Sequence, residues 1–86
     1  MRLSWSEHAL GDLEGIAERA PRAARHVFDD VVWLVSNPFP GMYRRVQGRS
    51  KDHILVVSPY VVIYRVDGDN LTVLRVLDSR RHRTPW

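Results

Sequence analysis

No cysteine occurs among the 86 residues, which removes disulfide frameworks and thiolate metal sites together. Long apolar runs are missing too. The longest, VVWLV at 31–35, falls far short of the roughly 20 residues that span a bilayer. The opening MRLSWSEH has no apolar stretch of the kind a secretory signal carries, so a cytoplasmic protein without membrane association is expected. Phosphate-binding loops, H-x-x-x-H pairs and G-x-S-x-G elbows are absent, as are internal repeats and low-complexity segments. The four histidines, at 8, 26, 53 and 82, are scattered without metal-ligand spacing, so neither a metal nor another cofactor is called for.

What is present fits one small domain over residues 1–86. A composition 44% hydrophobic and 27% charged is that of an ordinary globular chain. A chain of this size buries only roughly 60–65% of its unfolded surface, so a partner has room to add stability. Charge is unevenly placed. Residues 1–43 hold four Arg and six Asp or Glu, a net of −2, whereas residues 44–86 hold nine Lys or Arg and four Asp, a net of +5. That polarity suits an acidic or polyanionic partner for the second half.

Periodicity divides the chain at Met42. RLSW at 2–5 reads as a strand, and Ser6 as the N-cap of a helix with Glu7 favourable in its first turn. Ala9, Leu13, Ile16, Ala17 and Ala20 recur at helical spacing. Gly11 and Gly15 weaken that helix by about 1 kcal/mol each, unless they permit close approach of a neighbour. Pro21 suits the first position of a second helix, with Ala24, Val27, Phe28, Val31, Leu34 and Val35 as its apolar stripe and Trp33 at the border as packing. NPFPG at 37–41 ends it. Helices near 6–19 and 21–36 therefore form an antiparallel hairpin.

Strands follow near 42–46, 53–57, 60–66 and 71–77, with turns at QGRSKD (47–52), SP (58–59) and DGDN (67–70). Gly68 tolerates positive φ, which makes the last of these a hairpin turn. A two-residue loop there sets Val66 opposite Leu71, Tyr64 opposite Val73 and Val62 opposite Arg75. The other face then carries Val61, Ile63, Arg65, Thr72, Leu74 and Val76. The order β-α-α-β-β-β-β is an α+β domain, a helical hairpin on a largely antiparallel sheet that the first strand joins beside a late one.

Chemistry concentrates in the second half. Arg80, Arg81 and Arg83 can hold phosphates or carboxylates, and Arg44, Arg45, Arg49 and Lys51 form a second basic cluster. Arg65 interrupts an apolar face. Arg75 needs a partner, and Asp12 or Glu14 on the first helix is the candidate. His8 and His26 read as solvated. His53 at a strand start and His82 in the arginine tail could nominally act as base and acid over a phosphate held by Arg81.

Three strings carry a resemblance: LSWSEHALGDLEGI at the front, YVVIYRVDGDNLTVLRVL near the end, and the closing RRHRTPW. With them the chain resembles the ParE/RelE superfamily of bacterial type II toxins across essentially its full length. The resemblance implies the fold derived above and a cognate antitoxin as partner, with operator DNA reached only through that antitoxin. RelE-like members cut mRNA on the ribosome; ParE-like members poison DNA gyrase. The nuclease branch carries lysines on the strand before the hairpin and an arginine after the hairpin's first tyrosine. Here that strand is HILVVS, and Val61 follows Tyr60. A C-terminal tyrosine is likewise replaced by TPW. The resemblance therefore favours the ParE-like branch, with no catalytic residues and with Arg80, Arg81, Arg83 and Trp86 as the target-binding surface. The alternatives are a ribosome-dependent endonuclease using His53, His82 and Arg81, and a non-toxic chain that only binds its antitoxin.

Overall fold

Ser6 starts the first helix as its sequence predicts: its Oγ accepts the amide of Ala9 at 3.0 Å while its own backbone is extended. The computed structural model describes residues 1–37, 44–46 and 49–81. Their order is β1 (Arg2–Trp5), α1 (Glu7–Arg19), α2 (Pro21–Ser36), β2 (Arg44–Val46), β3 (Arg49–Val57), β4 (Tyr60–Asp67) and β5 (Asn70–Asp78). Both helices agree with the expected spans to within a residue. Met42 and Tyr43, expected in a strand, lie outside the described residues.

The five strands form one sheet in the order β1-β5-β4-β3-β2. Strand β1 pairs parallel with β5, Leu3 opposite Leu71, and the other pairings are antiparallel. The first strand thus joins a late one, as expected. Gly68 adopts φ 59° in the β4–β5 turn, which an L side chain rarely tolerates.

The helical hairpin covers one sheet face. Its core joins Ala9, Ile16, Val27, Val31 and Leu34 of the helices to Tyr64, Leu71 and Val73 of the sheet. Each fully buried aliphatic side chain stabilises by about 1.5–3 kcal/mol relative to exposure. Phe28 lies at the margin of the stripe, stacked on Trp5 at 6.0 Å, and Trp33 is half exposed rather than packed. A second cluster of Ile54, Val61, Ile63 and Leu77, with Leu74 packed against it, is formed by the sheet alone among the described residues.

Two sequence expectations need correction. Strand β3 begins at Arg49, not His53, so RSKD is strand rather than turn. The residue that made it look like a turn, Asp52, stands directly opposite Arg65 on β4, which neutralises it within the sheet. The β4–β5 register also changes. Val66–Leu71 and Tyr64–Val73 pair as expected, but Val62 then faces Val76, and Arg75 faces Ile63. Leu74 is the extra residue of a β-bulge, and Val76 moves to the helix-side core.

Hydrogen bonds from the other end of the chain account for the bulge. The Ser6 amide donates to the Val73 carbonyl at 2.9 Å and the Ser6 hydroxyl to the Leu74 carbonyl at 2.8 Å. The Asp12 carboxylate accepts the Val76 amide at 2.9 Å. The backbone groups at the bulge are satisfied by Ser6 and by Asp12 of α1.

Candidate functional site

The basic C-terminal segment leaves the sheet at Asp78, which pairs with Tyr60 at the end of β5. The chain is then fixed by short-range bonds. The Ser79 amide and hydroxyl donate to the Pro59 carbonyl at 2.9 and 2.7 Å. Arg80 closes a fork on Asp78, Nε at 3.0 Å and Nη2 at 2.8 Å, and its amide reaches the same carboxylate at 2.9 Å. This bidentate arrangement is the strong form of the guanidinium–carboxylate pair. It lowers the Asp78 pKa from 3.8 to about 2 and raises that of Arg80.

Arg81 differs from its neighbour. Its amide donates to the Asp78 carbonyl at 3.0 Å, but its Nε stays 4.0 Å from the carboxylate and the side chain is 63% exposed. Of the expected target-binding residues, Arg80 is thus occupied within the fold, and Arg81 stays largely exposed. Arg83 and Trp86 lie outside the described residues, as does His82.

The other candidates are distributed over the sheet. Arg65 is half exposed and donates through Nε to the buried Asp52 at 2.9 Å. Arg44 and Arg45 fall on β2, and Arg49 and Lys51 on β3; their side chains lie outside the described residues. Arg75 finds Asp12, as expected, with Nε at 2.8 Å and Nη2 at 3.2 Å. That contact raises the Arg75 pKa.

His53 is mid-strand, opposite Tyr64, with the two rings 5.5 Å apart and tilted by 34°. Tyr64 belongs to the helix-side core and lies four residues along β4 from Tyr60, the partner of Asp78. Four residues of strand and two inter-strand spacings put the His53 and Asp78 backbones roughly 16 Å apart. General acid–base work needs contact at about 3 Å. Arg81 follows Asp78 by three residues, so no direct contact between it and His53 is built into the strand pairing.

Sequence reasoning missed Asp78 and Asp52, the two buried carboxylates that hold Arg80 and Arg65. The D-S-R spacing at 78–80 was the available signal for the first. Nothing local marks the second, whose partner is on another strand.

A family description, the ParE toxin of the type II toxin-antitoxin system parDE, matches residues 3–83. Among solved structures, the chromosomal ParDE system of P. aeruginosa is similar at 22% identity and TM-score 0.71, covering 88% of this chain and 92% of that one. The YoeB/ParE toxin of Agrobacterium tumefaciens gives 21% identity and TM-score 0.73, covering 88% and 95%. The isolated E. coli RelE toxin gives 16% identity and TM-score 0.76, covering 95% and 87%. A comparison with curated proteins finds no match. At these identities the solved structures establish the fold, and the family match carries the rest.

Proposed function

The chain belongs to the ParE toxin family of type II toxin-antitoxin systems, and on that premise we propose that it arrests growth by binding DNA gyrase, without turnover, until a cognate antitoxin neutralises it. Its basic C-terminal segment, Arg81 with Arg83 and Trp86, is the target-binding surface, and Arg80 is held within the fold by Asp78. Both partners place the protein in the cytoplasm, and it meets operator DNA only through the antitoxin.

The observation that supports binding over hydrolysis is the separation of His53 from Arg81. His53 pairs with Tyr64, which faces Val73 midway along β5, while Arg81 lies beyond the end of β5. A nuclease would need base, acid and phosphate-binding cation around one ribose. A gyrase inhibitor needs only an exposed cationic and aromatic surface.

The deciding experiment induces the toxin and reads growth, supercoiling by purified gyrase and mRNA integrity on ribosomes. Removal of residues 80–86, or joint replacement of Arg80, Arg81 and Arg83 by Ala, should abolish growth arrest and gyrase inhibition. His53→Ala and His82→Ala should each keep most activity, since losing a general acid or base would cost a nuclease about 10²–10⁴ in rate. Cleavage of ribosome-bound mRNA by the parent, lost in either histidine variant, would replace this reading with the endonuclease. A folded parent with no effect on any readout, yet still bound by antitoxin, would leave only the antitoxin-binding role.

A further inference from the structure

Between α1 and the end of β5 lies a groove of about 200 Å³. It exists because Gly11 and Gly15, one turn apart on α1, put no side chain into it. Close packing does not require these glycines. A Cβ on Gly11 would meet nothing within 4 Å, and one on Gly15 would meet only the far end of Arg19, at 3.8 Å. The two residues cost the helix about 2 kcal/mol relative to alanine and gain no contact for it.

The lining is charged. Three arginines, Arg19, Arg75 and Arg81, line the groove together with two carboxylates, Asp12 and Asp78. Asp12 is occupied by Arg75, and Asp78 by Arg80. Arg19 makes no ion pair among the described residues, and Arg81 makes only the 4.0 Å approach to Asp78. Two guanidinium groups with donors to spare thus line the groove.

The geometry points to a recognition site for a single carboxylate side chain, carried by an acidic segment of a partner protein. Size supports a side chain rather than a whole small molecule, because pockets for drug-sized ligands and cofactors run about 300–1,000 Å³. Charge supports an anion: with Asp12 paired to Arg75 and Asp78 to Arg80, Arg19 and Arg81 are left to hold it. A planar carboxylate matches the guanidinium fork in shape. The site does not depend on gyrase being the target. Its occupation would draw Arg81 away from the exposed C-terminal segment.

The test is an NMR titration of the full chain, following the Gly11 and Gly15 amides and the arginine Nε–H signals. The probes are the capped peptide Leu-Glu-Leu, its Leu-Gln-Leu counterpart and inorganic phosphate. The glutamate peptide should give saturable shifts at both glycines and at Arg19 and Arg81, at least about tenfold tighter than the glutamine peptide, with phosphate weaker than the glutamate peptide. Gly11→Leu should fill the groove and remove the shifts while the melting temperature holds or rises, since leucine is the better helix former. Arg19→Gln, an exposed change that leaves the core alone, should weaken the glutamate peptide about fivefold or more. Equal affinity for the two peptides, tighter binding of phosphate, absence of saturation, or shifts that survive in both variants would each overturn the assignment. Growth arrest is not read, so failure here is distinct from failure of the gyrase proposal.

Discussion

Ser6 and Leu74, 68 positions apart in the chain, are joined by a hydrogen bond of 2.8 Å from the serine hydroxyl to the leucine carbonyl. The same hydroxyl accepts the Ala9 amide and so caps α1. One oxygen therefore ties the start of a helix to the bulge of a distant strand. Ser6→Ala should lose the cap, worth about 0.5–2 kcal/mol, and leave the Leu74 carbonyl short of a donor. Ser6→Gly discriminates between the two losses. Glycine replaces a capping serine at a cost of only a few tenths of a kcal/mol, so a glycine variant nearly as unstable as the alanine one locates the effect at Leu74. Urea denaturation of the three proteins decides it.

Asp78 makes stability depend on acid. Its folded pKa, about 2, lies below the ordinary 3.8 because Arg80 holds the ionised form. The unfolded chain therefore takes up the proton first as pH falls. The stabilisation is complete above about pH 5 and is lost as pH falls from about 4 to about 2. Asp78→Asn should remove that contribution, so the gap in urea midpoint between parent and variant should narrow through this window. A constant gap would show that the carboxylate's charge contributes nothing.

Adjacent arginines should separate by function. Arg80 is held in a fork by Asp78, whereas Arg81 is 63% exposed and 4.0 Å from the same carboxylate. Arg81→Gln should weaken gyrase inhibition on the order of tenfold, the size of a modest interface hot spot, and leave the acid dependence of stability intact. Arg80→Gln should do the reverse and flatten the low-pH loss. Inhibition by purified protein and acid denaturation, measured on both variants, would expose a swap of these roles.

Antitoxin binding should raise the melting temperature. Leu10, Phe28, Val32 and Trp33 on the helices are 38–50% exposed, which leaves apolar surface still to be buried. At an antitoxin concentration 100 times Kd, the gain should be about 2.7 kcal/mol. For a domain of this size each kcal/mol is worth roughly 4–8 °C. An unchanged transition at saturating antitoxin would contradict the proposal.

The hairpin at Gly68 was legible because its signal is local: a residue that accepts φ 59° between two alternating runs. The bulge at Leu74 was not, since Ser6 and Asp12, which hold it, come from the other end of the chain. Asp52 misled for the same reason. An acid beside a lysine and a serine reads as a turn, and only the cross-strand Arg65 makes it a strand residue. In the candidate site the arginine cluster was plain in RRHR. The division of labour within it depends on Asp78, whose burial follows from β5 reaching one residue past its expected end.

The pairing of Arg2–Trp5 with Asn70–Val73 makes an early-made segment wait on the ribosome for one translated much later. Helix α1 is bound by the same delay, because Ser6 and Asp12 dock on residues 73–76. Such contacts between distant parts of the sequence slow folding, since loop closure must precede any reward. During translation, at about 5–20 residues per second, the helical hairpin can form early, but β5 and the basic segment after it cannot. On the proposal that the arginines after β5 bind the target, a nascent chain is inert until they are made, and an antitoxin already in solution has the whole of that interval in which to be waiting.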